Sequence, residues 1–138
     1  MTGPSDAFER GMKVRREVLG DAHVDWASQN ITAFDARFQT WITETAWAGV
    51  WDDATLDRRT RSLVTIAILG ALRSDELTLH LKAAENTGAT PQEIAEVLMH
   101  VGTYAGLPAA NSAFAAAKAL YASKTVTELN AARGDDRD

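Results

Sequence analysis

One predicted helix carries the residues best suited to acid–base chemistry. Glu76 and His80 are four positions apart, so on a helix their side chains lie on the same face. A carboxylate in that position can orient the imidazole, fix its tautomer and raise its basicity, which a general acid or base near neutral pH requires. The alternative is an ordinary exposed pair on a helix surface, and the spacing by itself leaves both interpretations open.

A second imidazole and a phenol lie one helical turn apart further along the chain, at His100 and Tyr104. An antiparallel pair of helices could bring His100 close to His80, with the Tyr104 hydroxyl one turn beyond it. Taken alone, His100 is more simply interpreted as a buried histidine that bonds to the backbone. The sequence thus offers two further polar groups without placing them in a site.

Three cations crowd the first turn of another predicted helix, at Arg58, Arg59 and Arg61. The helix dipole disfavours positive charge at that end, so the arrangement calls for a compensating anion. A bound substrate carboxylate would supply it. The alternative is a solvated ion network with the aspartates that precede the helix, namely Asp52, Asp53 and Asp57.

Two tryptophans, Trp47 and Trp51, stand four residues apart just before this helix. They could roof a pocket for a planar ring. Tryptophans in an acidic all-α domain more often belong to a hydrophobic core or to a subunit interface. Both interpretations stay open at the level of sequence.

The composition of the chain excludes several kinds of chemistry and argues against several kinds of partner. The chain has no cysteine, which excludes thiol nucleophiles, thiolate metal sites and disulfides. Its histidines and carboxylates lack the close spacing of a zinc or di-iron site, and no Glu-x-x-His pair occurs, so no metal is expected. The net charge of -5 argues against nucleic acid as a partner. Without a signal-peptide pattern or an apolar run of about 18 residues, we expect a cytoplasmic protein with no membrane partner.

The elements that must position these groups are predicted to be helices, because apolar residues recur at three- and four-residue spacing and no alternating strand pattern survives. The prediction is an all-α fold, a compact single-domain bundle of about six helices over residues 1–127. An acidic tail over 128–138 is expected to be frayed. The first helix runs from Asp6 to Leu19 and is stopped by Gly20.

Four further helices follow from local signals. An aromatic stripe on a helix reaching about Ala48 is expected to face the core; its members are Phe34, Phe38, Trp41, Ile42 and Thr45. The helix capped by Asp57 is apolar nearly all round, which predicts a buried position in the middle of the bundle. Another runs from Glu76 to Asn86, between an N-cap at Ser74 and a stop at Gly88. The stretch from Thr90 to Glu93 forms a complete capping box with proline at the first helical position.

The last predicted helix, from Ala109 to Ser123, follows a break at Gly106 and Pro108. It is rich in alanine, so neighbouring helices could pack very closely against it.

Five ordered motifs resemble those of the 4-carboxymuconolactone decarboxylases, over about Phe8 to Lys118. They are the stretches 11–24 (GMKVRREVLGDAHV), 47–51 (WAGVW), 56–63 (LDRRTRSL), 79–84 (LHLKAA) and 100–111 (HVGTYAGLPAAN). The wider superfamily includes alkylhydroperoxidase-like thiol peroxidases, marked by Cys-x-x-Cys-x-x-x-His. Here that window keeps His80 but has Arg73 and Glu76 in place of the thiols. The resemblance therefore implies the decarboxylase branch.

The resemblance implies an alkylhydroperoxidase-like fold, a homo-oligomer (hexamer or trimer) and no cofactor. The implied reaction converts 4-carboxymuconolactone, a dianionic lactone, to 3-oxoadipate enol-lactone in the protocatechuate branch of aromatic degradation. On this basis His80 is the predicted proton donor, oriented by Glu76. The predicted substrate-binding residues are Arg58 or Arg61 for a carboxylate, His100 or Tyr104 for the lactone oxygen, and Trp51.

Other functions remain compatible with the sequence. A related lactone or a β-keto-type acid is one alternative substrate, because Trp26 and the polar segment 73–75 depart from the family pattern. An isomerase of a related lactone would keep the histidine but release no carbon dioxide. A helical oligomer that only binds a small acidic or aromatic ligand would need no proton transfer.

Overall fold

Eight helical segments follow one another in the computed structural model, which describes residues 3–122 and residue 124. They are α1 (Asp6–Leu19), α2 (Asp21–Gln29), α3 (Ala36–Ile42), a π-helical segment (Thr43–Trp51), α4 (Arg58–Ala71), α5 (Leu77–Thr87), α6 (Pro91–Ala105) and α7 (Leu107–Tyr121). No strand occurs in this described part of the chain. The all-α prediction is confirmed, with seven α-helices where about six were expected. The predicted tail over 128–138 lies outside the described residues.

The chain divides into two compact units, the first ending at Arg58 and the second beginning at Arg59. None of the described helices is long and apolar enough to cross a lipid bilayer. The boundary between the units falls at the start of α4, so the predicted site residues are distributed over both.

The first unit is built on α1, whose predicted bounds are confirmed. The Ser5 hydroxyl accepts a hydrogen bond from the Phe8 N–H at 3.0 Å and caps its start. Gly20 ends it with a φ of 89°, a value that favours glycine. The same glycine directly precedes α2, a helix that the sequence patterns did not reveal, because one residue serves as both stop and start.

The prediction that the aromatic stripe faces the core is wrong for its aromatic members. Phe34 is 99% exposed, and Phe38 and Trp41 are each more than half exposed. The buried face of this stretch begins only in the π-helical segment, at Thr43, Trp47, Ala48 and Trp51. Periodicity shows which residues share a face, but packing against α1 decides which face is covered, and that face is the one around Thr43.

The expectation that α4 is buried all round in mid-bundle is also wrong. Its buried residues are Ser62, Ile66 and Gly70, which lie four apart along one face. Val64 and Ile68, on other faces, are exposed. A helix that packs along one side within its unit buries a single stripe, whatever the composition of its other faces.

The remaining helices of the second unit begin and end close to the predicted positions. α5 starts at Leu77, one residue later than predicted, and Gly88 ends it with a φ of 86°. The prediction of Ser74 as its N-cap is wrong: the N-cap is Glu76, which makes no side-chain capping hydrogen bond. The Ser74 hydroxyl instead accepts a hydrogen bond from the Glu76 N–H at 3.2 Å, ahead of the helix. The capping box of α6 is complete, with the Thr90 N–H donating to Glu93 Oε1 at 3.0 Å.

Close packing against the alanine-rich helix is confirmed. α7 begins at Leu107, two residues earlier than predicted. Ala113 and Ala117 belong to the core of the second unit, together with Leu98 of α6. A Cβ atom added to Gly102 would lie 3.1 Å from the Ala110 Cβ, so α6 and α7 approach each other at this point more closely than larger residues would permit.

Candidate active site

His80 lies on the inward face of α5 and is only 8% exposed. Leu77, Leu81 and Ala84 are buried on the same helix, and all three belong to the core of the second unit. The Nδ1 atom of His80 has no access to solvent. An imidazole in this position is shielded from bulk water, which suits a group that must deliver a proton to substrate rather than exchange it with solvent.

Glu76 lies one turn before His80, as predicted, but at the exposed start of α5. The hydrogen bond that joins these two residues is a backbone one, from the His80 N–H to the Glu76 carbonyl oxygen at 3.3 Å. Among the described residues the Glu76 carboxylate does not itself bond to the imidazole. An orienting role for Glu76 therefore stays a prediction, which requires its side chain to turn towards His80.

His100 and Tyr104 are brought together on the outer face of α6. Their ring centroids are 4.8 Å apart and their planes are inclined by 45°. His100 is exposed and Tyr104 is 79% exposed, so the interpretation of His100 as a buried, backbone-bonded histidine is wrong. Within residues 3–122 neither ring is hydrogen-bonded to His80. Leu98 and Val101 take the inward positions of α6 instead, which turns residues 100 and 104 outward.

Two of the clustered arginines have glutamate partners that are distant in sequence. Arg58 Nη1 donates to Glu17 Oε2 at 2.9 Å, at the edge of the first unit. Arg59 Nε donates to Glu93 Oε1 at 3.1 Å within the second unit. Arg61 is half-buried, and its Nε atom is shielded from solvent. The compensating anions for Arg58 and Arg59 thus include two glutamates that no local spacing would have identified.

Trp51 lies in the core of the first unit. It is buried and packs against the buried Trp47, with ring centroids 5.3 Å apart. The indoles occupy one side of the π-helical segment, the side that also carries Thr43. The core interpretation of the pair agrees with this placement, and contact of Trp51 with a substrate stays a prediction.

A polar cavity of about 300 Å³ lies in the second unit, and no sequence pattern predicts it. Its lining comprises Gly70, Arg73, Ser74, Asp75, Leu77, Thr78, Ser112, Ala113 and Ala116. Arg73 Nη2 donates to Ser112 Oγ at 3.0 Å across this cavity. The one sequence signal was a hydroxyl at position 112 within an alanine-rich helix, which gives no hint of a partner 39 positions earlier.

Comparison with known proteins decides between the families that such a helical chain could belong to. Residues 36–119, more than half of the chain, match the carboxymuconolactone decarboxylase family. The chain belongs to this family. The resemblance seen in the sequence motifs is thereby confirmed.

Curated relatives agree with the assignment to the carboxymuconolactone decarboxylase family. The chain is 46% identical to a 4-carboxymuconolactone decarboxylase of Acinetobacter baylyi over 83% of its own length and 86% of the relative's. It is 39% identical to a nitrosuccinic acid decarboxylase of Metarhizium robertsii over 88% and 82%. A 4-carboxymuconolactone decarboxylase sequence of Pseudomonas putida is 49% identical over 28% of this chain and 81% of the relative. All three relatives carry the name of a decarboxylase.

Proposed function

We propose that the protein is a carboxy-lyase that converts 4-carboxymuconolactone to 3-oxoadipate enol-lactone. The observation that carries the proposal is the 46% identity, over most of both chains, to a relative named for the decarboxylation of this substrate. A buried histidine in the motif window supports it. We propose residues 1–127 as the catalytic domain, acting in the cytoplasm in the protocatechuate branch of aromatic degradation, the β-ketoadipate pathway.

The chemistry of this substrate needs no electron sink beyond its own ring. The departing carboxylate is attached to a ring carbon that is conjugated through a double bond to the lactone carbonyl. When the bond to carbon dioxide breaks, its electron pair moves to the carbonyl oxygen and leaves a dienolate. A proton added to the carbon next to the carbonyl completes the enol-lactone. The protein must therefore bind two carboxylates, stabilise the oxyanion and deliver one proton, so no cofactor is proposed.

In this proposal His80 donates the proton, and its burial keeps that proton from solvent. Glu76 orients the imidazole once its side chain turns inward. The further assignments concern binding and follow the residue types: Arg58 or Arg61 for a carboxylate, His100 or Tyr104 for the lactone oxygen, and Trp51 for the ring.

The exposed groups support the proposal that the working form is a homo-oligomer, a hexamer or trimer. Phe34, Phe38 and Trp41 expose aromatic surface that soluble monomers rarely leave uncovered. His100 and Tyr104 need a second wall before they can act on a substrate shielded from water. A neighbouring copy would provide both kinds of cover.

The deciding experiment supplies the purified, metal-stripped protein with freshly generated 4-carboxymuconolactone and records carbon dioxide and enol-lactone together. We expect both products to appear in equal amounts. His80→Gln should lower kcat by about two to four orders of magnitude, the usual scale for a lost general acid. His23→Gln, in α2 of the first unit, is the matched histidine control and should retain the wild-type rate.

Two outcomes would contradict this. An unchanged rate in His80→Gln would remove the histidine from the mechanism while leaving the reaction in place. A folded protein that releases no carbon dioxide would refute the reaction itself and favour a ligand-binding or isomerase function.

A second substrate is suggested by the fungal relative named nitrosuccinic acid decarboxylase. Nitrosuccinate is also a dicarboxylate, and the electron pair left on its nitro-bearing carbon can be delocalised into the nitro group. The same protein residues could therefore serve both substrates. A higher kcat/KM for nitrosuccinate than for 4-carboxymuconolactone in the same assay would reassign the substrate and keep the reaction class.

A further inference from the structure

Arg73 occupies a backbone position that normally favours glycine. α4 ends in two turn-closing hydrogen bonds, from the Arg73 N–H to the Gly70 oxygen at 3.1 Å and from the Ser74 N–H to the Leu69 oxygen at 3.0 Å. Arg73 has a φ of 54°, whereas the other positive φ values in residues 3–122 belong to glycines. Glycine would close the same turn without strain, so the backbone gives no reason for an arginine. The side chain must supply the reason.

The Arg73 side chain has an incomplete set of partners. Its Nη2 donates to the Ser112 hydroxyl, a neutral group on α7. Other arginines of the described chain bind carboxylates, namely Arg10, Arg16, Arg58 and Arg59. No carboxylate within the described residues pairs with Arg73. A guanidinium has five N–H donors in a planar fork that fits a carboxylate, so most of its donors remain available.

These donors border the 300 Å³ cavity between the α4–α5 turn and α7. Ser74, Thr78 and Ser112 add hydroxyl groups to its wall, while Leu77 forms part of its apolar side. Leu77 lies three residues before His80 on α5, a spacing at which Cβ atoms are about 5–6 Å apart. One residue of the cavity wall, Leu77, thus lies one helical turn before His80 on the same helix.

We propose that this cavity binds the carboxylate that the substrate retains, with Arg73 as its ion-pair partner and Ser112 as the group that orients the guanidinium. The identity of the substrate rests on the proposed function. The retained carboxylate is the one that fits, because it keeps its charge from substrate to product, so its ion pair with Arg73 persists throughout the reaction, whereas the departing group leaves as neutral carbon dioxide. Asp75 also lies on the cavity wall, so the attraction of Arg73 for the bound carboxylate must outweigh the repulsion from Asp75.

The test separates binding from turnover by using muconolactone, which has the lactone and the carboxymethyl group but lacks the departing carboxylate. Its methyl ester removes the remaining charge. In Arg73→Gly the Kd of muconolactone, measured by calorimetry, should rise about ten- to a hundredfold, while the weaker binding of the ester stays unchanged. Because glycine relieves the strained φ, the Tm of Arg73→Gly should rise by about 3 °C.

Three other variants define the interaction. Arg73→Lys keeps the positive charge without the planar guanidinium, so it should bind muconolactone more tightly than Arg73→Gly but less tightly than the wild type. Ser112→Ala should raise the Kd by a smaller factor than Arg73→Gly. Lys82→Met removes an equal charge from the exposed face of α5 and should bind muconolactone like the wild type.

The possible outcomes distinguish failure of this carboxylate site from failure of the proposed function. Unchanged muconolactone affinity in Arg73→Gly would overturn the site, whatever the turnover. Succinate and its neutral diamide serve as substrate-independent probes. If the wild type fails to decarboxylate but binds succinate over the diamide in an Arg73-dependent way, the anion site stands and the proposed function falls. If the wild type binds neither muconolactone nor succinate, the anion site falls as well.

Discussion

Gly11 of α1 lies directly against the backbone of Thr43, where α3 continues into the π-helical segment. A Cβ atom at position 11 would overlap the Thr43 carbonyl oxygen and would lie 2.9 Å from the carbonyl carbon and 3.1 Å from Cγ2. The obstacle is mainly backbone, which cannot rotate away as a side chain can. Thr43 is itself fully buried, with its hydroxyl donating to the Gln39 oxygen at 2.8 Å. This contact determines how closely α1 can approach the π-helical segment.

Gly11→Ala should therefore lower the free energy of unfolding by about 2 kcal/mol, since overpacking outweighs the better helix propensity of alanine. Urea denaturation measures the change. Gly49→Ala is the control, because its Cβ would meet the Glu44 oxygen at an ordinary 3.6 Å. Equal stability of the two variants would show that the α1 contact can relax.

Glu93 joins the start of α6 to α4. Its Oε1 accepts hydrogen bonds from the Thr90 N–H at 3.0 Å and from Arg59 Nε at 3.1 Å. Glu93→Ala removes both and should cost about 1–2 kcal/mol of stability. Glu93→Gln keeps an oxygen that can accept from Thr90 but loses the charge, so it should cost about half as much. Thermal or urea unfolding of the two variants gives the comparison.

High salt distinguishes the two contributions of Glu93 to stability, the capping hydrogen bond with Thr90 and the ion pair with Arg59. The difference between wild type and Glu93→Gln should shrink in 1 M salt, because the pair with Arg59 is partly exposed. The difference between Glu93→Gln and Glu93→Ala should persist. If Glu93→Gln were as unstable as Glu93→Ala at every salt concentration, the capping bond would contribute nothing.

Tyr121 should make the fold sensitive to alkali. It lines an apolar cavity of about 520 Å³ between α6 and α7. Burial, with a smaller contribution from the Glu85 carboxylate, raises the pKa of Tyr121 above the ordinary value of 10.0. Because the folded pKa exceeds the unfolded one, the stabilising contribution is fully present below about pH 10 and is lost as the pH rises through the folded pKa. The free energy of unfolding should fall over that window, and Tyr121→Phe should flatten the fall.

Ultraviolet titration of Tyr104→Phe checks this directly. The sequence has two tyrosines, so the phenolate signal of that variant comes from Tyr121 alone. We expect a midpoint above pH 10. A midpoint at or below this value would mean that the cavity wall is open to water.

The exposed aromatic surface formed by Phe34, Phe38 and Trp41 should hold copies of the chain together in the proposed oligomer. The double substitution Phe34→Ser and Trp41→Ser should shift the mass measured by light scattering towards the monomer, because it removes the apolar area that assembly would bury. Ala33→Ser, at an exposed neighbouring position, introduces the same side chain without removing an aromatic ring and is the control. An oligomer that survives the double substitution would place the interface elsewhere.

Arg61 should affect substrate binding more than stability. If it holds a carboxylate, Arg61→Met should raise KM about ten- to a hundredfold with a smaller change in kcat. Arg59→Met removes a cation two residues away that binds Glu93, and should lower stability while leaving KM unchanged. An unaltered KM in Arg61→Met, together with a lower Tm, would assign Arg61 a structural role.

Local interactions explain which parts of the fold could be predicted from sequence. Gly20 and Gly88 end helices because they adopt positive φ values, and the capping box of α6 closes within four residues. Each signal depends only on neighbours along the chain. The all-α class and most helix ends were therefore determined by the sequence itself.

Only the tertiary structure decided which faces are covered and which distant groups meet. It leaves Phe34 and His100 exposed, buries Trp51, and brings Arg73 to Ser112 across 39 positions. None of these outcomes follows from periodicity, because a helix presents the same stripe of residues whichever neighbour packs against it. Packing selects the face, and the predicted site can be assembled only after that selection has been made.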